Sequence, residues 1–127
     1  MAKEITVLIV EDHRLMVEGL ADLIAEVPEL KVVGTAGSVL AAVDAARELQ
    51  PQVVLMDFRL PDGDGVQATR LIRRQSPKIA VVFLSAVGDD AVRKSAADAG
   101  ASAYLLKSAS AQEVKEAIIR AAGEPPT

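Results

Sequence analysis

Val53-Val54-Leu55-Met56-Asp57-Phe58-Arg59-Leu60-Pro61-Asp62-Gly63 runs four apolar residues straight into a carboxylate, with a proline and a glycine close behind. An apolar run that does not alternate in polarity reads as a parallel strand covered on both faces. The acid at its end is either a turn-former, as Asp often is before a proline loop, or a functional group delivered to a fixed place. The other strands decide between the two.

Working outward, four further runs have the same character: Val7–Val10, Lys31–Ala36, Ala80–Leu84 and Ala103–Leu106. Between them lie stretches of helical period, marked by Leu15, Leu20, Leu23, Ile24 and Val27, and then by Val39, Val43, Ala46 and Leu49. Val66, Leu71 and Ile72 mark a third, Ala91 to Ala99 an alanine-rich fourth, and Val114, Ala117, Ile118 and Ala121 a fifth. Pro28, Pro51 and Pro77 stand between a helix and the next strand, where proline stops a helix. Gly100 is placed as a helix C-terminal cap, and Ser110 with Glu113 forms a capping box before the last helix. Five β-α units in order predict an α/β fold with an open, doubly wound parallel sheet, its right-handed crossovers putting helices on both faces.

The chain's 127 residues suffice for one domain with its own core, and half of them are hydrophobic, which excludes disorder. With only three aromatic residues, that core is built from Val, Leu, Ile and Ala. There is no cysteine, hence no disulfide or thiolate metal site. No apolar run approaches a membrane span, and MAKEITVLIV lacks the basic start of a secretory signal, so a cytoplasmic, soluble domain is expected. Residues 1–65 hold five bases and twelve acids, a balance of −7; residues 66–127 hold nine bases and six acids, a balance of +3. Arg70, Arg73 and Arg74 are the densest basic group, and at helical spacing they read as a solvated face, with no direct nucleic-acid contact expected.

Ligands of an open parallel sheet collect outside the carboxyl ends of its strands. The first strand ends in Glu11-Asp12, the third in Asp57, the fourth in Ser85 and the fifth in Lys107, while the second ends in Thr35-Ala36-Gly37 with nothing ionisable. Three carboxylates together repel one another unless a cation relieves them, and an oxygen donor set suits Mg²⁺. Such an ion recruits phosphate, leaving a carboxylate to attack phosphorus, a lysine to neutralise a phosphoryl oxygen and a serine to donate a hydrogen bond to another. The set reads as an aspartyl-phosphate site. His13 is set aside as a ligand because hard ions rarely take imidazole, and Asp62-Gly63-Asp64-Gly65 reads as a turn because it lacks the remaining ligands of a calcium loop.

Four stretches, VLIVEDH at Val7–His13, VVLMDFRLPDGDG at Val53–Gly65, VVFLSA at Val81–Ala86 and GASAYLLKSAS at Gly100–Ser110, resemble the receiver domain of bacterial two-component response regulators. The resemblance runs to about Ala122 and implies a flavodoxin-like sheet of strand order 2-1-3-4-5. It also implies that Asp57 is the phosphoacceptor, that Glu11, Asp12, Asp57 and the Arg59 carbonyl hold Mg²⁺, that Ser85 and Lys107 contact the phosphoryl group, and that Ser85 and Tyr104 are the switch pair. The implied donor is a sensor histidine kinase, and the implied response is a changed surface on the fourth helix, fifth strand and fifth helix. Such a domain is no enzyme beyond its own phosphorylation and dephosphorylation.

The Asp12-His13 pair and Leu105-Leu106-Lys107-Ser108-Ala109 resemble the subgroup joined to LuxR-type helix-turn-helix domains, which implies a transcriptional output domain beyond Thr127. Accordingly, residues 1–122 are the receiver domain, and GEPPT at Gly123–Thr127 reads as the start of a linker. Many receivers carry a cis proline after the lysine; Ser108 stands there in this chain, and a non-proline cis bond costs about 3 kcal/mol. Arg59 and Val87, flanking the expected phosphate, are candidates for setting its lifetime.

Two rival readings remain: an interaction module that works without phosphorylation, and a haloacid dehalogenase-type phosphatase. The latter resembles Asp-x-Asp, and Arg59 stands where its second acid would be. A nucleotide-binding domain is disfavoured because no glycine-rich loop follows the first strand. For a homodimer, the first helix with the last and the fourth with the fifth are both open as pairing faces.

Overall fold

The computed structural model describes residues 4–86 and 88–123. Five strands, β1 (Ile5–Val10), β2 (Leu30–Ala36), β3 (Val53–Met56), β6 (Ala80–Ser85) and β7 (Ala103–Leu106), form one parallel sheet in the order β2-β1-β3-β6-β7. Two more, β4 (Arg59–Leu60) and β5 (Gly63–Asp64), pair antiparallel as a small hairpin after Asp57. With that hairpin set aside, the order is the expected 2-1-3-4-5. The helices are α1 (Arg14–Ala25), α2 (Val39–Leu49), α3 (Gly65–Gln75), α4 (Asp90–Asp98) and α5 (Ala111–Gly123).

Strand residues point alternately to the two faces, which is why continuous apolar runs serve here. Val7, Ile9, Val53, Leu55, Val82 and Leu84 pack with Leu20 and Ile24 of α1 and Val114, Ile118 and Ala121 of α5. Leu8, Val10, Val54, Met56, Val81 and Phe83 pack with residues of α2, α3 and α4 on the other face. The punctuation holds: Gly100 follows α4 at φ +103°, and Ser110 and Glu113 exchange hydrogen bonds at 3.2 and 3.1 Å. No peptide bond among the described residues is cis, the Lys107–Ser108 bond included.

Leu15 departs from the expected helical face, being 84% exposed. It lies nine residues before Ile24, and at about 100° per residue that puts it on the opposite side of α1. Leu49 and Leu71 are also at the surface; Leu49 lies across Gly34, where an added Cβ would meet its Cδ1 at 2.7 Å. Glu124–Thr127, most of the expected linker, lie outside the described residues.

Candidate functional site

Ladder hydrogen bonds of the sheet continue one residue past its strands and fix the residues of interest. Glu11 N–H donates to Ala36 O at 2.9 Å, Asp57 N–H to Val10 O at 3.0 Å, and Lys107 N–H to Ser85 O at 2.7 Å. Strand order reverses between β1 and β3, so Glu11 and Asp57 flank the switch point of the sheet, where doubly wound folds bind their ligands.

Around that point the Lys107 ammonium lies 2.8 Å from Glu11 Oε1 and 3.2 Å from Asp57 Oδ1. Glu11 and Asp57 are buried, and the second oxygen of Glu11 is occupied by His13, whose Nδ1 is at 2.9 Å and whose backbone N–H donates at 3.1 Å. Burial pushes the Glu11 carboxyl up, but hydrogen bonds from Lys107 and His13 outweigh it and bring the pKa from 4.5 to about 2. Asp57 goes the other way: burial, then the charge of Glu11, raise its carboxyl above the usual range despite Lys107. Burial works against the Lys107 ammonium, yet its hydrogen bond to Glu11 and the charge of Asp57 hold it above its ordinary value. The hydrogen bond to Glu11 and the charge of Asp12 likewise raise the exposed His13.

Single ligand atoms of Glu11, Asp12, His13 and Asp57 lie within 4.8 Å of one another. Both Glu11 oxygens are hydrogen-bonded, whereas Asp12 faces His13 Nδ1 at 3.2 Å and Asp57 faces Lys107 at 3.2 Å through one oxygen each, so Asp12 and Asp57 hold the freer oxygens for a cation. Their oxygens, with Asp57 carrying charge that its surroundings do not fully offset, fit a hard ion such as Mg²⁺. His13 is at the start of α1 with its side chain mostly exposed, and bonds Glu11, as suits a neighbour of the acid pair.

The remaining residues fall as follows. Ser85 is buried at the end of β6, the strand paired with β3. Arg59 opens β4 two residues past Asp57, its side chain exposed and its main chain paired with Asp64. Tyr104 lies on β7 opposite Phe83, their rings stacked with centroids 5.9 Å apart, and the Arg93 guanidinium of α4 sits 4.7 Å from the tyrosine ring centre. Val87 lies outside the described residues. His13, set aside as a ligand, stands exposed at the start of α1, and Asp62 lies in the expected turn. Two contacts were not foreseen: the bonds of His13 to Glu11, and those that Asp62 accepts from Val39 N–H at 2.7 Å and Leu40 N–H at 3.1 Å. An aspartate before glycine was the only signal for the latter.

Fold and site together define a doubly wound α/β domain with a buried carboxylate, an acid pair and a lysine at its switch point. Known proteins narrow this: residues 7–119 match the response regulator receiver domain, and the chain belongs to that family. It is 39% identical over 115 residues to the transcriptional regulatory protein LnrK of Bacillus subtilis, covering 91% of this chain and 52% of the relative. The response regulator domain of Thermotoga maritima CheB superposes with a TM-score of 0.91 at 33% identity, covering 98% of this chain and 100% of that one. A LuxR-family two-component response regulator from Aurantimonas gives a TM-score of 0.91 at 32% identity, covering 94% and 86%. The chain spans about half the length of the curated relatives it matches.

Proposed function

We propose that this domain is a phosphorylation switch in which Asp57 accepts a phosphoryl group from a phosphohistidine of a sensor kinase. The observation that carries the reading is the buried Asp57 carboxylate at the switch point, 3.2 Å from the Lys107 ammonium and grouped with Glu11 and Asp12. A carboxylate oxygen of Asp57 attacks phosphorus, and the bond from phosphorus to the donor nitrogen breaks with its electron pair returning to the imidazole. Burial of Asp57 excludes competing water, and its rigid seat against Val10 presents it in one orientation. Lys107 pairs with a phosphoryl oxygen by leaving Asp57 while Glu11 keeps its ammonium nearby, and the Ser85 hydroxyl donates to another oxygen.

Asp12, Asp57 and the Arg59 carbonyl are the residues that would hold Mg²⁺, with Glu11 oriented behind them. The ion would supply charge neutralisation at the phosphoryl oxygens. The phosphoryl dianion that replaces the single carboxylate charge at this edge then draws in Ser85 and turns Tyr104, altering the face of α4, β7 and α5. Similarity to the transcriptional regulatory protein LnrK and to a LuxR-family response regulator supports a transcriptional response. A DNA-binding output domain, a cytoplasmic location and homodimer formation complete the proposal. Among the described residues no helix is long and apolar enough to cross a membrane.

Incubation with acetyl phosphate and Mg²⁺, followed by intact-mass measurement, tests the reading. A gain of one phosphoryl group is expected in the wild type and none in Asp57→Asn. No gain at any Mg²⁺ concentration points instead to a phosphorylation-independent module, and sustained turnover of phosphomonoesters to a phosphatase.

A further inference from the structure

The segment that carries Arg59 has little to hold it by itself. It is a hairpin of two two-residue strands joined through Pro61-Asp62, and even a full-length isolated hairpin is only marginally stable in water. Its base is pinned by Gly65 N–H donating to Phe58 O at 2.7 Å. Its tip reaches a different element. Both carboxylate oxygens of Asp62 are used, Oδ1 by Val39 N–H and Oδ2 by Leu40 N–H, from residues 23 and 22 positions away in sequence.

Those two donors belong to the first turn of α2, where N–H groups have no partner within the helix and a carboxylate is favoured by the helix dipole. The next donor, Ala41 N–H, is taken at 3.0 Å by Ser38, the helix's own cap. Ser38 and Asp62 thus share the turn, one local and one from the hairpin. Packing agrees with the hydrogen bonds: a Cβ on Gly63 would meet Gln67 Oε1 of α3 and approach Val39 Cγ2 to 3.2 Å, so the glycine lets the tip close on α2. Bonds from Val39 and then Leu40 hold the Asp62 carboxyl below the usual carboxylate range, so the clamp stays charged at neutral pH.

We propose that Asp62 is a positioning residue for the phosphoacceptor site: by clamping the hairpin tip to α2 it fixes the Arg59 main chain relative to Asp57, and so sets cation affinity and the rate of phosphoryl transfer while touching neither. This rests on the reading of the site given above. It also makes α2, which supplies no residue to the site, part of its support.

The test compares Asp62→Ala and Asp62→Asn with Ser38→Ala, which removes a cap from the same helix turn but leaves the hairpin clamped. Mg²⁺ affinity is read by calorimetry and by the Mg²⁺-dependent rise of the thermal midpoint, and amide hydrogen exchange of residues 59–64 is followed without metal. Asp62→Ala is expected to weaken Mg²⁺ by roughly tenfold, the lower end for losing a group that orients metal ligands, and to speed exchange in the hairpin. Asp62→Asn keeps one acceptor oxygen and falls between, which preserves the comparison if the alanine variant folds poorly. Ser38→Ala is expected to lower the midpoint with Mg²⁺ affinity unchanged. Wild-type affinity in both Asp62 variants, or equal weakening by Ser38→Ala, reduces Asp62 to a helix cap and overturns the proposal. A wild-type domain with no Mg²⁺-dependent rise at all overturns the reading of the site, and the clamp's role in it.

Discussion

At Asp57, the proposed function and stability pull in opposite directions. Burial and the neighbouring charge of Glu11 raise its folded pKa, so the ionised form opposes folding at neutral pH. Asp57→Asn removes that charge while Lys107 keeps its 2.8 Å partner in Glu11. The metal-free variant is therefore expected to melt several degrees above wild type, as measured by calorimetry at pH 7. A raised folded pKa means that the penalty is full above it, fades as pH falls from it toward 3.8, and is gone below 3.8, where folded and unfolded states are both protonated. The advantage of the variant should shrink over that same acid range. Saturating Mg²⁺ should also shrink it, since a ligand at a hundred times its dissociation constant stabilises by about 2.7 kcal/mol and the wild type binds it better. A variant that melts below wild type without metal would contradict this account. The charges themselves were legible in the sequence, because parallel strands reveal which residues stand at their carboxyl ends. Which acid Lys107 prefers was not, since that depends on side-chain reach across 96 residues of chain.

Elements seat these residues through close approach as much as through hydrogen bonding. Gly65, the first residue of α3, sits where a Cβ would run into the Asp57 carbonyl oxygen and come within 2.8 Å of Met56 Cγ and 3.0 Å of Phe83 Cε1. Gly65→Ala must displace the end of β3, and forcing a methyl into a packed core costs about 1–3 kcal/mol. Ser110→Ala removes one half of the α5 capping box at a cost of about 1 kcal/mol. Both variants are expected to melt lower in thermal scans, but only Gly65→Ala should slow Asp57 phosphorylation by acetyl phosphate. Equal rates in the two would mean that α3 does not set the acceptor. Helices and sheet strands were legible because each keeps one period or one apolar run over several residues. The hairpin was not: two residues per strand are too few for any pattern, and Asp62-Gly63-Asp64-Gly65 carries turn chemistry throughout. Leu15 misled for a related reason, since its five-residue spacing from Leu20 fits no single helix face.

At the scale of the molecule, a switch needs a part that moves at low cost while the sheet stays fixed. The helices differ in how deeply they are rooted. Within α3, Val66, Ala68, Thr69 and Ile72 are buried; within α5, Val114, Ile118 and Ala121 are, and Lys115 adds a 2.6 Å ion pair to Glu26 just past α1. In α4 only Ala96 is buried, and a groove of about 550 Å³ lined by Phe58, Val66, Gln67, Arg70, Val92 and Ser95 separates it from α3. It is also held to the sheet by Arg93 over the Tyr104 ring, an interaction worth about 0.5–1 kcal/mol at an exposed site. Segments with few buried apolar side chains open locally at small free energies. Amides of α4 are therefore expected to exchange faster than those of α3 and α5 in the unmodified domain. Phosphorylation of Asp57, or Arg93→Ala without it, should change exchange in α4 and β7 while leaving α2 and β1 as they were. Protection of α4 equal to that of α3 in both states would place the moving part elsewhere, and Tyr104 would then be a core tyrosine rather than the link between the acceptor and the α4 surface.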